Sequence, residues 1–255
     1  MVSIASWTII NNEIDFIADI VDYHIPWLDF MYFLDTGSTD GTLEFLQSQA
    51  KKNSKILLQE YHTKFTPQHE KKWEEMSNPF PEVEVRNFAL EQVEKLGSNW
   101  LIQLDGDEVF LSSTKKIIDQ NETYSILGHS TINPVEELKK HPIERRHGNV
   151  LYDPHARIWK NGLGIRYQNN PAFKTKQYHC IPVLNKKHIY HSPKIKFISE
   201  PIHFHLHWMY GTKVEKFYPQ LNSLEINQIQ PDPIQWKNLL PEIFFQRRKE
   251  WLISD

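Results

Sequence analysis

Residues 99–110 read NWLIQLDGDEVF, in which three acidic side chains within four residues follow an apolar run. The run Trp100–Leu104 is typical of a short buried strand. Asp105, Asp107 and Glu108 come directly after it. Like charges this close repel one another and lose hydration when they are buried, so a positive partner is expected. A divalent cation is the candidate that these residue types favour.

The composition limits the class of protein. The chain has 255 residues, of which 40% are hydrophobic and 13% aromatic, enough to bury one large core or two small ones. The net charge of −3 gives no electrostatic reason to expect nucleic acid as a partner. Because Cys180 is the single cysteine, we expect no internal disulfide and a reducing, cytoplasmic location.

The sequence shows no membrane-targeting pattern. An apolar run of the roughly 18 residues that a spanning helix needs is missing. The first residues, MVSIASWTIINNE, lack the basic segment of a signal peptide. We therefore expect no transmembrane segment, and we interpret these residues as a first strand.

The first 110 residues alternate between strand and helix patterns. Apolar runs of the strand type occur at Val2–Ile10, Phe30–Leu34, Lys55–Gln59 and Trp100–Leu104. Helical spacing of apolar residues occurs between them, at 13–23, 43–50 and 85–96, while the polar residues 61–81 indicate a loop. This order predicts an α/β fold with a mostly parallel sheet and helices on both faces.

Polar groups follow three of these predicted strands. Asn11, Asn12 and Glu13 follow the first strand, Asp35 the second, and the acidic residues the fourth. The carboxyl ends of parallel strands form one rim, where ligands bind, so these groups should gather there. Chance alone gives roughly 0.6 Asp-x-Asp triplets in such a chain, so the placement is more informative than the triplet itself. Within DTGSTDGT (35–42), Asp40 is either a ligand contact or, as we favour, a helix cap.

Taken together, four motifs resemble a known family. They are N-E at 12–13, D-x-G-S-x-D-G-T at 35–42, R-N-x-A-L at 86–90 and D-x-D-E at 105–108. This set, over about residues 4–110, resembles the nucleotide-binding half of family 2 glycosyltransferases with the GT-A fold. The resemblance implies a single domain over 1–255, with a nucleotide-sugar-binding half (1–110) and an acceptor-binding half with C-terminal helices (111–255).

The resemblance also implies roles for the rim residues. Asp35 would hold the nucleotide base, and Asp105 the ribose or donor sugar. Asp107 would bind Mn²⁺ or Mg²⁺ on the diphosphate, an ion that stabilises the departing diphosphate as a Lewis acid. Oxygen ligands suit both metals. Arg86 would lie near the nucleotide, with a plain surface arginine as the alternative. Asn12 and Glu13 would also bind the nucleotide sugar.

The second half contains PIHFHLHWMYG at 201–211. A strand would place His203, His205 and His207 on one face. The resemblance implies that one histidine completes the metal shell, with His207 as the first candidate, His205 as the second and a purely structural cluster as the alternative. Lys213 and Tyr210 would then reach the phosphates.

The catalytic base is not evident. The segment RIWKN at 157–161 resembles one that borders the acceptor pocket in relatives, but the His-Glu pair that usually follows is replaced by QNNPAFKTK. The family is inverting, and an inverting transferase needs a carboxylate base. Asp153 and Glu200 are the candidates, each alternatively a surface or turn acid. Glu108 as the base, or an impaired protein, are the remaining hypotheses.

The sequence therefore predicts a metal-dependent, inverting glycosyltransferase. It would move a hexose or pentose from a nucleoside-diphosphate sugar, UDP-sugar first, to a glycan, lipid-linked or protein acceptor. The alternative is an impaired sugar-nucleotide-binding module of the same fold. The C-terminal segment at 236–252 is amphipathic and either packs on the core or makes a peripheral membrane contact. A histidine-based oxygenase would need a β-barrel, which the alternating first half contradicts.

Overall fold

The structure is a computed structural model. It describes residues 2–61, 81–132, 152–169, 180–206, 239–244 and 246; for 130, 152–155 and 190 it describes the backbone only. In the described part of the chain, no helix is long and apolar enough to cross a membrane.

The first half follows the predicted alternation closely. Its strands are β1 (Ile4–Ile10), β2 (Phe30–Asp35), β3 (Ile56–Glu60) and β4 (Trp100–Gln103). Its helices are α1 (Ile14–His24), α2 (Thr42–Lys52) and α3 (Glu82–Glu94). The last of these ends at Glu94, two residues before the end of the predicted helical pattern at 96, because the chain tightens there: the Leu96 N–H donates to the Val93 carbonyl oxygen at 3.1 Å.

The described part of the second half is mostly β-structure. It contains β5 (Glu108–Phe110), β6 (Ile126–Ile132), β7 (Tyr152–Lys160), β8 (Arg166–Asn169), β9 (Cys180–Leu184), β10 (Lys187–His188), β11 (Ile195–Phe197) and β12 (His203–His205). One helix, α4 (Ser113–Gln120), follows β5, and a short 3₁₀ turn covers Ile189–His191. The histidine segment forms a strand over His203–His205.

A large mixed sheet unites both halves. Its order is β3-β2-β1-β4-β7-β6-β12-β5, with β11 beside β6. Among the described strands five pairings are parallel and three are antiparallel. The predicted fold class, a mostly parallel sheet flanked by helices, is confirmed. The strand directions place the ends of β2, β1, β4, β6 and β12, and the starts of β7 and β5, along one rim.

The sheet has a core cluster on each face. Alternate residues of a strand point to opposite faces, and β2 shows this clearly. Met31 and Phe33 share one buried cluster with α1 and α2 residues, whereas Tyr32 and Leu34 share the other with α3 residues. Burial on both sides explains why the first-half strands read as continuous apolar runs.

The sheet curls back on itself. β4 and β5 are neighbours in sequence, yet three strands, β7, β6 and β12, lie between them in the sheet. In a flat sheet with strands about 4.8 Å apart, roughly 19 Å would separate the two. Residues 105–108 instead form a tight turn, in which the Glu108 N–H donates to the Asp105 carbonyl oxygen at 3.2 Å. Such a turn spans less than about 7 Å, so the sheet must curl until β5 approaches β4.

Side chains of α1 close the outer edge of β5. The Phe110 N–H donates to His24 Nε2 at 3.1 Å, and His24 Nδ1 lies 2.7 Å from the Ile20 carbonyl oxygen. Beside them, the Ser112 N–H donates to the Tyr23 hydroxyl at 3.1 Å. Since Nε2 accepts a hydrogen bond, the proton of this imidazole lies on Nδ1 and the ring is neutral. Burial lowers the pKa of His24 to about 4.

An asparagine of α3 fastens the smaller sheet β8-β9-β10 to the body of the molecule. The Tyr167 N–H donates to the Asn87 amide oxygen at 2.7 Å, and the Asn87 amide nitrogen donates to the Tyr167 carbonyl oxygen at 3.0 Å. These two hydrogen bonds resemble those that a neighbouring strand would make with β8. The Asn of the R-N-x-A-L motif therefore has a structural role.

Candidate active site

The loops after β1 and β2 are fastened to each other at the rim. Asn12, which has a positive φ of 56°, accepts the Thr39 N–H on its amide oxygen at 2.8 Å. The Asn12 N–H in turn donates to Ser38 Oγ at 3.0 Å. The Asn12 side chain, predicted to lie beside the nucleotide, is therefore engaged in holding the two loops together.

Asp40 caps two helices at once. Its Oδ2 accepts the Ile14 N–H at 3.0 Å at the start of α1, and its Oδ1 accepts the Thr42 N–H at 3.0 Å at the start of α2. Carboxylates are favoured at such ends, where backbone N–H groups lack partners. The favoured interpretation of Asp40 as a cap agrees with these contacts.

Asp35 ends β2 with only one of its two carboxylate oxygens engaged. Its Oδ1 accepts the N–H groups of Gly37 at 2.8 Å and Ser38 at 2.9 Å. Gly37 has a φ of 102°, a conformation that favours glycine. The side chain is 1% exposed, and Oδ2 makes no hydrogen bond to any residue the structure describes. A buried acceptor of this kind is costly unless a donor, such as a water or a ligand, reaches it.

The acidic turn, residues 105–108, packs against the loop after β1. A Cβ added at Gly106 would lie 2.7 Å from Glu13 Cγ and 3.2 Å from Glu13 Cβ. Glycine at this position therefore allows the close approach of the Glu13 side chain. The structure brings together the N-E and D-x-D-E motifs, which are separated by about ninety residues in the sequence.

Arg157 of β7 supplies a positive partner for the acidic turn. Its Nη1 donates to Asp105 Oδ2 at 2.8 Å and to Glu108 Oε2 at 2.9 Å, and its side chain is 13% exposed. Burial alone would raise the pKa of Asp105, but the guanidinium groups of Arg157 and Arg86 hold it well below its usual range. The expectation that a metal alone offsets the three acids was therefore incomplete, because two arginines of the chain balance part of the charge.

Gln103 links the two arginines. With its amide oriented to satisfy its neighbours, the oxygen accepts from Arg86 Nη1 at 2.7 Å and from Arg157 Nη1 at 3.1 Å, and the nitrogen donates to the Tyr167 hydroxyl. The Arg86 Nε also donates to Glu82 at 2.8 Å, and its guanidinium lies 5.5 Å from the centre of the Tyr167 ring. Arg86 thus faces the site, and the alternative of a plain surface arginine does not fit these contacts.

Glu108 anchors the turn inside the curled sheet. It is 1% exposed, its Oε2 accepts the Asp105 N–H at 3.0 Å, and the same oxygen lies 3.2 Å from His203 Nε2. Burial raises the pKa of Glu108 in spite of Arg157. The Oε2 atom of this carboxylate is engaged by the Asp105 N–H and by Arg157 and lies beside His203, an arrangement that suits an anchor better than a base for an acceptor hydroxyl.

Asp107 and His205 form a pair at the front of the turn. His205 Nε2 lies 3.3 Å from Asp107 Oδ1. The Leu206 N–H donates to the Asp107 carbonyl oxygen at 2.7 Å, so the chain after β12 runs directly along the turn. Burial alone would lower the pKa of His205, but the Asp107 carboxylate raises it. Of the predicted metal ligands, the structure brings these two together; His207, Lys213 and Tyr210 lie outside the described residues.

The pair fits part of a metal shell. Within the described ranges, no three His, Cys, Asp or Glu side chains are arranged to hold a metal ion by themselves. A carboxylate suits Mn²⁺ or Mg²⁺ when the remaining positions are filled by phosphate oxygens and water, which is how Mg²⁺ commonly binds beside nucleotides, and the imidazole of His205 lies beside it as a further donor. The residues present are therefore compatible with an ion that binds together with a diphosphate.

The base candidates are less well placed by the structure. Asp153 lies opposite Thr131 near the start of β7, at the rim, and only its backbone is described. Glu200 is exposed in the loop before β12 and accepts the Ser199 hydroxyl at 3.3 Å. These observations identify neither Asp153 nor Glu200 as the base, and both stay candidates.

Sequence reasoning assigned Arg157 to the RIWKN segment beside the acceptor pocket but missed its contact with the acidic turn, and it missed Gln103 altogether. One signal was available: Arg157 stands in an apolar β-segment between Ala156 and Ile158. An arginine in a buried strand needs a carboxylate partner. Glu108 lies at the start of a strand, where it needs a cation for the same reason. Matching these two unpaired charges would have predicted their contact.

Comparison with known proteins gives no family assignment for the chain. It matches no protein-family model and no curated protein. A mannosyltransferase from Pyrobaculum calidifontis, solved with GDP-Man and Mn²⁺, is similar at 16% identity and a TM-score of 0.33, over 51% of this chain and 35% of that one. GalNAc-T7, solved with UDP, GalNAc and Mn²⁺, is similar at 12% identity and a TM-score of 0.46, over 100% of this chain and 56% of that one. At these identities the similarity concerns the fold alone.

Proposed function

We propose that this protein is a metal-dependent glycosyltransferase that uses a nucleoside-diphosphate sugar. The observation that supports it most is the convergence, on one rim, of Asp35, the acidic turn and His205. Such a rim is where sheets of this class bind ligands. The motifs that resemble family 2 glycosyltransferases supply Asp35 and the acidic turn, and the histidine segment at 201–211 supplies His205.

Asp35 would bind the nucleotide base. Its Oδ1 is fixed by two backbone N–H groups, so Oδ2 is a preorganised acceptor. Uracil presents an N–H donor to such an acceptor, as thymine and guanine also do; the family resemblance favours UDP, with dTDP and GDP as the alternatives. Arg86, charged and held by Glu82 and Gln103, would lie close to the nucleotide.

Asp107 and His205 would hold Mn²⁺ or Mg²⁺ on the diphosphate. When bound, the ion stabilises the charge that grows on the departing diphosphate. Asp105, fixed by Arg157 and 30% exposed, would orient the ribose or donor sugar. The resemblance favours inversion, for which Asp153 or Glu200 would take the proton of the acceptor hydroxyl.

The acceptor would be a saccharide or glycoconjugate. The missing His-Glu pair keeps the second candidate function open, a sugar-nucleotide-binding module without turnover.

A panel of nucleoside-diphosphate sugars with Mn²⁺ or Mg²⁺ tests the proposal. We expect at least one donor to raise the melting temperature in the presence of metal, and to release nucleoside diphosphate faster when a saccharide acceptor is added. Stabilisation without release would favour the binding module. A chain that no sugar nucleotide stabilises, with either metal, would contradict both candidates.

The Asp35→Asn variant should bind UDP more weakly by about 10- to 150-fold. The new amide keeps an oxygen for the two backbone N–H groups but presents a donor where Oδ2 accepts. The lost hydrogen bond to a charged acceptor is worth about 1.5–3 kcal/mol. Calorimetry with UDP and Mn²⁺ measures the change. Asp29→Asn, at the opposite end of β2, is the matched control, and equal affinities in both variants would contradict the role of Asp35.

A further inference from the structure

We propose that Arg157 is a positioning residue that acts as a built-in counter-ion: it occupies Asp105 and Glu108, and so restricts the metal to the Asp107 side of the turn. This inference rests on the proposed function. It adds that the metal binds only together with the nucleotide, because the chain itself blocks the other two carboxylates.

The geometry supports a bridging role. A single guanidinium nitrogen, Nη1, reaches both carboxylates, at 2.8 Å and 2.9 Å. Arg157 comes from β7, the strand next to β4, and Glu108 begins β5 at the far edge of the curled sheet. The Arg157 guanidinium therefore lies where the curled sheet closes, beside the turn that connects β4 and β5. Both carboxylates belong to one turn, so a guanidinium held between them fixes their separation.

Without Arg157 the turn would be a cation site in its own right. Asp105, Asp107 and Glu108 would present several carboxylate oxygens within four residues, the kind of donor set that hard divalent ions prefer. An ion bound there without nucleotide would lie among all three acids. Arg157 binds two of the three carboxylates, so they are not available to the ion. One carboxylate and His205 remain, which are too few donors for tight binding without a nucleotide.

The position of Arg157 is itself fixed. The Gln103 oxygen accepts from it at 3.1 Å and from Arg86 at 2.7 Å. Burial alone would lower the pKa of Arg157, but the carboxylates of Asp105 and Glu108 raise it, so the residue stays charged. The guanidinium groups of Arg86 and Arg157 both donate to this neutral oxygen. The shared contact holds Arg86 toward Glu82, and Arg157 toward Asp105 and Glu108.

The test is direct titration of Mn²⁺ into the nucleotide-free protein, followed by paramagnetic resonance of the free ion. In Arg157→Ala we expect Mn²⁺ to bind tighter by about tenfold or more than in the wild type, because a positive charge leaves a partly buried acidic site. In Arg157→Lys, which keeps the charge but not the planar fork, Mn²⁺ affinity should stay near the wild-type value. Its rate of sugar transfer should still fall, because a point charge cannot hold both carboxylates in place.

Arg166→Ala is the matched control, since Arg166 makes an ion pair with Glu94 at 3.0 Å away from the turn. It should leave Mn²⁺ binding unchanged. If Arg157→Ala fails to fold, the double variant Arg157→Gln with Glu108→Gln removes the buried partner as well, and it should also bind Mn²⁺ tighter than the Glu108→Gln single variant does.

Two outcomes separate this inference from the proposed function. A folded Arg157→Ala protein with wild-type Mn²⁺ affinity, in a chain that does bind UDP with Mn²⁺, would overturn the inference alone. A wild-type chain that no sugar nucleotide stabilises would overturn the proposed function, whatever Arg157 does to the metal.

Discussion

Replacing Asp107 with alanine is expected to lower the rate of sugar transfer by roughly two to three orders of magnitude. Stabilisation of the departing diphosphate by a metal is worth several kcal/mol, and each 1.4 kcal/mol is a factor of ten. The fold should persist, because the Leu206 N–H bonds to the backbone oxygen of residue 107 and alanine keeps that group. Turnover at saturating Mn²⁺, with circular dichroism as the check on folding, measures both effects.

The control for Asp107 is Asp119→Ala, which removes an exposed acid from α4. It should leave turnover and metal dependence unchanged. A folded Asp107→Ala protein that transfers sugar at the wild-type rate would show that the metal does not bind at this carboxylate.

Acidification from pH 6.5 to pH 4 should cost the fold roughly 3 kcal/mol through His24 alone. Burial depresses the pKa of His24 from 6.5 to about 4, so the unfolded chain binds the proton more readily than the folded chain. The contribution to stability is therefore complete above pH 6.5 and is lost progressively as the pH falls toward 4, by about 1.4 kcal/mol per unit. The physical cause is that Nε2 must stay unprotonated to accept the Phe110 N–H.

Urea unfolding of His24→Gln at several pH values tests this. Glutamine keeps a donor and an acceptor but does not titrate, so its free energy of unfolding should fall less steeply between pH 6.5 and pH 4 than that of the wild type. Tyr23→Phe is the control: it removes the neighbouring bond to the Ser112 N–H, and should lower stability without changing the slope. Parallel slopes for His24→Gln and the wild type would refute the assignment.

The sequence predicted the parallel half of the fold because local patterns define it. Runs such as Phe30–Leu34 are apolar throughout, since helices cover both faces of β2. The gathering of Asp35, Glu13 and the acidic turn followed from the strand directions alone. The second half was harder to predict, because β7 joins β4 across about fifty residues and its pairing leaves no local periodic signal.

In the candidate site too, the features with a local sequence pattern were predicted and those that depend on non-local pairing were not. The acids were visible as a motif, while their partner Arg157 depends on the non-local pairing of β7. His205 was the second choice as a metal ligand, and the structure places it 3.3 Å from Asp107, while the first choice, His207, lies beyond the described residues. The roles of all these residues stay predictions until the variants are measured.

The curled sheet makes the acidic turn one link of a closed ring. Strands β4, β7, β6, β12 and β5 are joined by hydrogen bonds, and the covalent chain through Asp105–Glu108 closes the circuit. The length of this link is set by the other members of the ring, so an inserted residue would add slack and a deleted one would pull strands apart. Insertions and deletions should therefore be accepted in surface connections elsewhere in the chain but rejected in these four residues. Variation among proteins with this ring should change the residue types in the link before it changes their number.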